Sequence, residues 1–276
     1  MLSHQVPFLT LNNGVKMPQL GLGTWKSENN DAENAVKHAL KIGIRLIDTA
    51  FYYQNESFVG KAIKESGVPR EEIFITTKLW NSDHGYEKAL AAFERSRAAL
   101  DLSYVDLYLI HWPGKDMNSL TETWRAFEKL YNEKKVRAIG LSNFNIDHID
   151  HILSICTVPP MVNQVEIHLL LQQAKLRAYC AEKNIIVTGW RPLGDGKLLS
   201  NPTVTMLAEK YHRTPAQVLI RWMLQLGIVV IPKSIKPERI NENFGVFDFV
   251  LDDSSMTLLN SMDEGKRIGP DPSEFF

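Results

Sequence analysis

The chain is short of cysteine, of charge of one sign and of long apolar runs, and each shortage removes a class of protein. Among 276 residues only Cys156 and Cys180 are cysteines, and neither sits in a C-x-x-C or zinc-type spacing. That excludes a disulfide framework. Both read as thiols of a reducing compartment, with one buried pairing between them as the alternative. Lys plus Arg number 31 and Asp plus Glu 32, a formal net charge of -1. The basic excess expected of a nucleic-acid or membrane-surface protein is missing. No apolar run reaches the ~18 residues of a membrane span. The first ten residues, with His4 and Pro7, lack the charged and apolar regions of a signal peptide. The expected location is cytoplasmic. With 44% hydrophobic and 23% charged residues the composition is that of a globular protein, and disorder is excluded.

What is present is alternation. Val6 to Leu11, the turn Asn12-Asn13-Gly14 and Val15 to Met17 read as a hairpin, with Asn-Gly supplying the positive φ of a tight turn. Eight short apolar runs follow, at 20–23, 45–49, 73–79, 105–112, 138–142, 162–167, 185–190 and 229–232. They are rich in Val, Ile, Leu and Thr without strict alternation, as parallel strands buried on both faces are. Amphipathic stretches separate them. One is capped by Asp31, others run over 86–100, 146–155 and 172–183, and one opens at Thr214-Pro215-Ala216-Gln217, an N-cap with Pro at the first turn and a capping-box Gln. Eight βα units predict an α/β fold, a (β/α)8 or TIM barrel with an N-terminal β-hairpin, as one domain over residues 1–276. The rival doubly wound sheet needs a third glycine that Gly21-Leu22-Gly23 lacks.

In such a barrel chemistry gathers at the C-terminal ends of the strands. The second strand delivers Asp48, with Tyr52 and Tyr53 just beyond. The third delivers Lys78, the fourth His111-Trp112, the fifth Ser142-Asn143 and the sixth Gln164, Glu166 and His168. Trp190 ends the seventh and Lys233-Ser234 the eighth. Asp48, Tyr53, Lys78 and His111 make one coherent set. Asp48 can hold the Lys78 ammonium, and that ammonium lowers the pKa of a neighbouring phenol. A tyrosine so placed is a general acid for an oxygen gaining charge, and His111 can orient that oxygen. The set implies carbonyl reduction. Taken singly, Asp48–Lys78 could be a structural ion pair, Tyr53 a packed aromatic and His111 a core histidine. After the eighth strand, Lys233, Ser234, Lys236 and Arg239, with Pro237 opening a helix, suit an anionic cofactor, or equally a solvated basic helix start.

With these residues the chain resembles the aldo-keto reductases over nearly its whole length. The matching motifs, in order, are Leu20-Gly-Leu-Gly-Thr-Trp25, Ile47-Asp-Thr-Ala50 with Tyr53, Asn55 and Glu56, Thr77-Lys-Leu-Trp80, Asp106-Leu-Tyr-Leu-Ile-His-Trp-Pro113, Gly140-Leu-Ser-Asn-Phe144, Asn163-Gln164 and Ile231-Pro-Lys-Ser234 with Arg239. The group it is most similar to holds 2,5-diketogluconate reductases, glyoxal reductases and a prostaglandin F synthase. The resemblance implies NADPH-dependent reduction of aldehydes, α-ketoaldehydes and activated ketones, with Tyr53 as proton donor completed by Asp48, Lys78 and His111. It places the cofactor on Gly23, Thr24 and Asp48, the nicotinamide carboxamide on Ser142, Asn143 and Gln164, and the ring on Trp190. Leu193 and Gly194 would line the pyrophosphate, Lys233, Ser234 and Arg239 the 2′-phosphate, and Glu242 and Asn243 the adenine. Trp25, Tyr52, Trp80, His111 and Trp112 would wall the substrate pocket, or in part be plain core, with Phe275 and Phe276 at its rim.

Two residues depart from the family pattern. Arg191 replaces a usual Ser, so it either meets the cofactor pyrophosphate or points outward. Leu169 replaces the usual Pro after His168, which frees a backbone N–H. Two rivals are weighed against the reductase. A metal hydrolase using Asp48, His111, Glu166 and His168 lacks the right ligand spacing, and Lys78 would repel a cation. An NADPH-binding regulatory or sensor protein of the same fold would show little turnover. No metal is expected. The partner is a small-molecule carbonyl, and with no heptad seam the chain is expected to be a monomer.

Overall fold

A computed structural model describes residues 6–275. His4 in the leading segment and Phe276, expected at the pocket rim, lie outside the described residues.

The hairpin pairs β1 (Phe8–Thr10) with β2 (Lys16–Pro18) antiparallel. Its turn differs from the expected one. Gly14 alone takes a positive φ, +87°, while Asn13 does not. Leu11 accepts from the Gly14 N–H and donates to Val15, so the turn is a three-residue loop closed by a left-handed glycine. Asn12 Nδ2 donates to the Pro160 carbonyl and Asn13 Nδ2 to that of Arg137. The hairpin thereby covers the N-terminal end of the barrel, opposite the strand ends that matter for chemistry.

The expected barrel is present as an eight-stranded parallel sheet in sequential order. Its strands are β3 (Leu22–Gly23), β4 (Leu46–Asp48), β5 (Phe74–Leu79), β6 (Val105–Ile110), β7 (Val136–Ser142), β8 (Val162–Glu166), β9 (Ile186–Trp190) and β10 (Val229–Val230). Parallel bridges from Leu20 to Val230 and from Gly23 to Lys233 join the first strand to the last. Closure there requires glycine, because a Cβ on Gly23 would lie 2.8 Å from the Ile231 carbonyl oxygen.

Ten helices are described around it: α1 (Asn29–Lys41), α2 (Glu56–Glu65), α3 (Tyr86–Ala99), α4 (Met117–Asn132), α5 (Ile146–Ile155), α6 (Ala174–Glu182), α7 (Pro202–Tyr211), α8 (Pro215–Gln225), α9 (Pro237–Phe244) and α10 (Asp253–Asn260). The Thr214 capping box forms as read, with Gln217 N donating to Thr214 Oγ1 and Thr214 N to Gln217 Oε1. Asp31 does not cap α1. Glu28 is its N-cap, and Asp31 sits inside the first turn, where its charge still complements the helix dipole. Leu22, Val36, Ile47, Phe93, Leu107, Trp124, Phe127, Ile139 and Trp222 belong to one continuous apolar cluster. Cys156 and Cys180 are both free thiols, so the alternative of a buried pair is set aside. At the foot of the barrel, fully buried Asp106 accepts from Arg70, Arg137 and the Ile75 N–H. Among the described residues no helix is long and apolar enough to cross a membrane.

Candidate active site

The C-terminal ends of the strands open into a cleft of about 920 Å³. Its floor is a run of hydrogen bonds contributed by β4, β5, β8 and the turn after β4. Lys78, on the penultimate position of β5, is fully buried, and an ammonium can be kept there only if every proton finds an acceptor. Its Nζ donates to Asp48 Oδ1 at 2.6 Å, to the Thr49 carbonyl at 2.9 Å and to Tyr53 Oη at 3.2 Å. Asp48 Oδ2 accepts from Gln164 Nε2 at 2.7 Å. The turn that carries Tyr53 is anchored by buried Asn55, whose side chain accepts from Thr49 Oγ1 and donates to the Thr24 and Ser27 carbonyls. An ammonium cannot accept, so Lys78 must donate to Tyr53 Oη. The phenol keeps its own proton for a group in the cleft.

Electrostatics sharpen these roles. Burial pushes the Tyr53 phenol above its ordinary value; the Lys78 charge pulls it back and Asp48 adds to the rise. The net shift is upward, which corrects the expectation of a lowered phenol: the Lys78 effect has the expected sign, but loss of water outweighs it. Burial pulls the Lys78 ammonium down, and Asp48 and Tyr53 more than offset it, so the residue stays charged. Burial, reinforced by Lys78, drives His111 well below the ordinary histidine value, so its ring is neutral. That ring packs edge-on against Tyr53 at 5.7 Å and Trp80 at 5.2 Å.

A second polar layer lies beside the floor. Asn143, held at φ +63°, donates through Nδ2 to the His111 carbonyl at 2.9 Å and accepts at Oδ1 from Trp190 Nε1 at 2.9 Å. Ser142 Oγ donates to the Gln164 carbonyl at 2.9 Å. The far end of the cleft is cationic. Lys233 is pulled below the ordinary lysine value by burial, which Asp31 opposes and Lys26 weakly assists. Lys26 and Lys233 both line this end of the cleft. Arg239 lies in the first turn of α9, and Ser234 Oγ accepts from the Lys236 N–H where the chain enters that helix. Glu242 accepts from the N-cap Thr214 of α8 at 2.7 Å.

The cleft brings together Gly23, Trp25, Asp48, Tyr52, Tyr53, Trp80, His111, Trp112, Ser142, Asn143, Gln164, Trp190, Arg191, Leu193, Lys233, Ser234, Arg239, Glu242 and Asn243. Lys78 lies beneath its surface. Thr24 is buried and holds the Asp48 carbonyl through Oγ1 at 2.9 Å, and Gly194 is buried in the turn after β9, so neither lines the cleft. Tyr52 stacks on Trp80 at 3.8 Å and Trp25 on Tyr52 at 5.7 Å, forming one aromatic wall. Trp112 and Phe275, which also line the cleft, meet at 4.3 Å. Arg191 lines the cleft rather than pointing away from it. Its backbone is left-handed at φ +59°, its Nε reaches Asp195 at 3.0 Å and its guanidinium lies 5.3 Å from the Trp190 ring centre. Leu169 is buried in a tight turn closed by reciprocal bonds between His168 and Leu171. Sequence reading missed Lys26, Asp195, Lys197 and Pro270, which also line the cleft. Lys26 follows the first barrel strand by three residues, so the strand-end rule could have found it. Pro270 comes from the C-terminal segment and carried no such signal.

The two carboxylates of the metal-hydrolase rival are otherwise engaged. Asp48 faces a lysine and Glu166 accepts from backbone N–H groups of the C-terminal segment. Among the described residues no group of three or more His, Cys, Asp or Glu is arranged to hold a metal ion.

Comparison with known proteins places this geometry. A 9,11-endoperoxide prostaglandin H2 reductase of Trypanosoma cruzi is 54% identical over 97% of this chain and 95% of its own length. A glyoxal reductase of Bacillus subtilis is 53% identical, covering 96% of this chain and 95% of its own. A crystal structure of a Gox0644 variant in complex with NADPH superposes with a TM-score of 0.95 at 43% identity, covering 99% of this chain and 100% of that one. The model of the aldo/keto reductase family matches residues 19–264. With a closed (β/α)8 barrel and this match over most of its length, the chain belongs to the aldo/keto reductase family.

Proposed function

We propose that the protein is an NADPH-dependent reductase of aldehydes, α-ketoaldehydes and activated ketones, with Tyr53 as the proton donor. The observation that carries this reading is the buried Lys78 ammonium, held between Asp48 and Tyr53 at the floor of an aromatic-walled cleft. Relatives of about half-identical sequence are a glyoxal reductase and a prostaglandin endoperoxide reductase, and a structural relative binds NADPH.

The residues present fit a phosphorylated dinucleotide. One end of the cleft offers amide and hydroxyl groups with unspent hydrogen-bonding capacity on Ser142, Asn143 and Gln164, beside the Trp190 ring. The other end offers Lys233, Arg239 and the N-terminus of α9. Ser142, Asn143 and Gln164 would hold the carboxamide, Trp190 the ring, Leu193 and Arg191 the diphosphate. Lys233, Ser234 and Arg239 would hold the 2′-phosphate, and Glu242 and Asn243 the adenine. When bound, NADPH supplies a hydride to the carbonyl carbon.

The chain's own residues do the rest. Neutral His111 donates a hydrogen bond to the carbonyl oxygen and fixes its position. Tyr53 Oη gives that oxygen its proton as charge develops there. Lys78, already donating to Tyr53 Oη, stabilises the phenolate left behind, and Asp48 keeps Lys78 charged. Trp25, Tyr52, Trp80 and Trp112 give an apolar surround suited to uncharged carbonyls and leave large polyanions without partners. Absorbance at 340 nm tests this, with methylglyoxal, an aromatic aldehyde and an activated ketone as substrates. The expected result is NADPH oxidation with the aldehydes and ketoaldehyde. Tight NADPH binding without turnover on any carbonyl would favour the regulatory or sensor reading instead.

A further inference from the structure

Glu166, the last residue of β8, is fully buried and lies outside the proton-donating set. A buried carboxylate is costly unless its oxygens are satisfied, and these are satisfied by the C-terminal segment. Oε1 accepts from the Ile268 and Gly269 N–H groups, both at 2.9 Å, and Oε2 accepts from Gly269 at 3.1 Å. The His168 ring nitrogen Nε2 lies 3.2 Å from Oε1. Burial raises this carboxyl, but His168 and the two backbone donors more than reverse the effect, so it is held as a carboxylate.

The pinned segment presses on Trp190. A Cβ on Gly269 would fall 2.5 Å from Trp190 Cη2, so only glycine fits there. The indole is therefore fixed at two separated points. Asn143 Oδ1 takes its Nε1 proton, and the Gly269 backbone blocks it at Cη2. The chain beyond Gly269 returns to the cleft through Pro270 and Phe275.

We propose that Glu166 is a positioning residue for the nicotinamide ring: by pinning Ile268–Gly269 it sets the tilt of the indole on which that ring rests. This rests on the reading of Trp190 as the stacking surface. It makes the C-terminal segment part of the cofactor site although Ile268 lies 102 residues downstream of Glu166.

The test compares binding of NADPH with that of 2′-phospho-ADP-ribose, which has the same adenosine and diphosphate but no nicotinamide, by calorimetry on the full chain. Glu166→Ala is expected to weaken NADPH about tenfold, or about 1.4 kcal/mol, while leaving 2′-phospho-ADP-ribose nearly unchanged. Glu166→Gln keeps an oxygen for the two N–H donors and should recover most of the loss. Gly269→Ala, with Glu166 intact, should reproduce the selective loss by pushing the indole aside, which keeps the test decisive if Glu166→Ala fails to fold. Equal weakening of both ligands, or of neither, in Gly269→Ala, and likewise in Glu166→Ala where that variant folds, would overturn the proposal. Failure of the wild type to bind 2′-phospho-ADP-ribose would instead overturn the cofactor reading of the cleft, and this inference with it.

Discussion

The chemistry turns on proton accounting at single residues. Lys78 has three acceptors for its three protons, namely Asp48, the Thr49 carbonyl and Tyr53 Oη. Tyr53 and His111 are pushed in opposite directions in pKa by the same burial, one phenol upward and one imidazole downward, and both end in the neutral form. The pH dependence follows. On the proposed reading Tyr53 works as its protonated form, so activity is expected to be lost as pH rises through a value above the ordinary tyrosine pKa of 10.0. His111 has already lost its charge well below 6.5 and contributes no inflection near neutrality. The pH profile of kcat/KM for an aldehyde should be flat from ~6 to ~9 and fall only on the alkaline side. A rising limb centred near 6.5 would show that His111 titrates in the working range. The positions of the four residues were legible in the sequence because Asp48, Lys78 and His111 lie at strand ends and Tyr53 in the turn that follows β4, where the fold dictates direction. The net rise at Tyr53 was not, because it depends on how much water the folded chain removes from the phenol.

Among the elements, α9 is the informative one. Pro237 opens it, so its N-terminal N–H groups face outward beside Lys233 and Arg239. Arg239 is exposed and makes room for a bidentate grip on a phosphate. Arg239→Ala should raise the Kd of NADPH by about ten- to a hundredfold and change that of NADH little, as measured by fluorescence titration. Equal losses for both would move Arg239 away from the 2′-phosphate. A broad apolar stripe made an element legible, although 172–183 was also read where α6 buries only Leu176 and Cys180. α8, with a broad buried face, was read readily. α7 buries Val204, Leu207 and Ala208, and α10 only Ser255 and Leu259, so neither announced itself. Both are capped by a side chain that sequence could have offered, Asn201 and Asp252.

At the scale of the whole molecule the barrel separates stability from chemistry. The hairpin and the Asp106–Arg70–Arg137 cluster close the N-terminal end, while the cleft occupies the other. The βα alternation made this architecture readable, since eight apolar runs of similar length admit few other closures. What sequence could not show is contact between distant segments. Glu166 meeting Ile268 and Gly269, and Phe275 meeting Trp112, depend on the C-terminal segment crossing the strand ends. The central claim joins all of this: a cleft assembled from strand ends delivers one proton from Tyr53. The most direct measurement is NADPH oxidation with methylglyoxal by wild type and Tyr53→Phe, alongside NADPH affinity for each. Phenylalanine keeps the ring and removes only the hydroxyl. The account predicts a fall in kcat of about a hundredfold or more with NADPH affinity preserved. Unchanged turnover in Tyr53→Phe would contradict it.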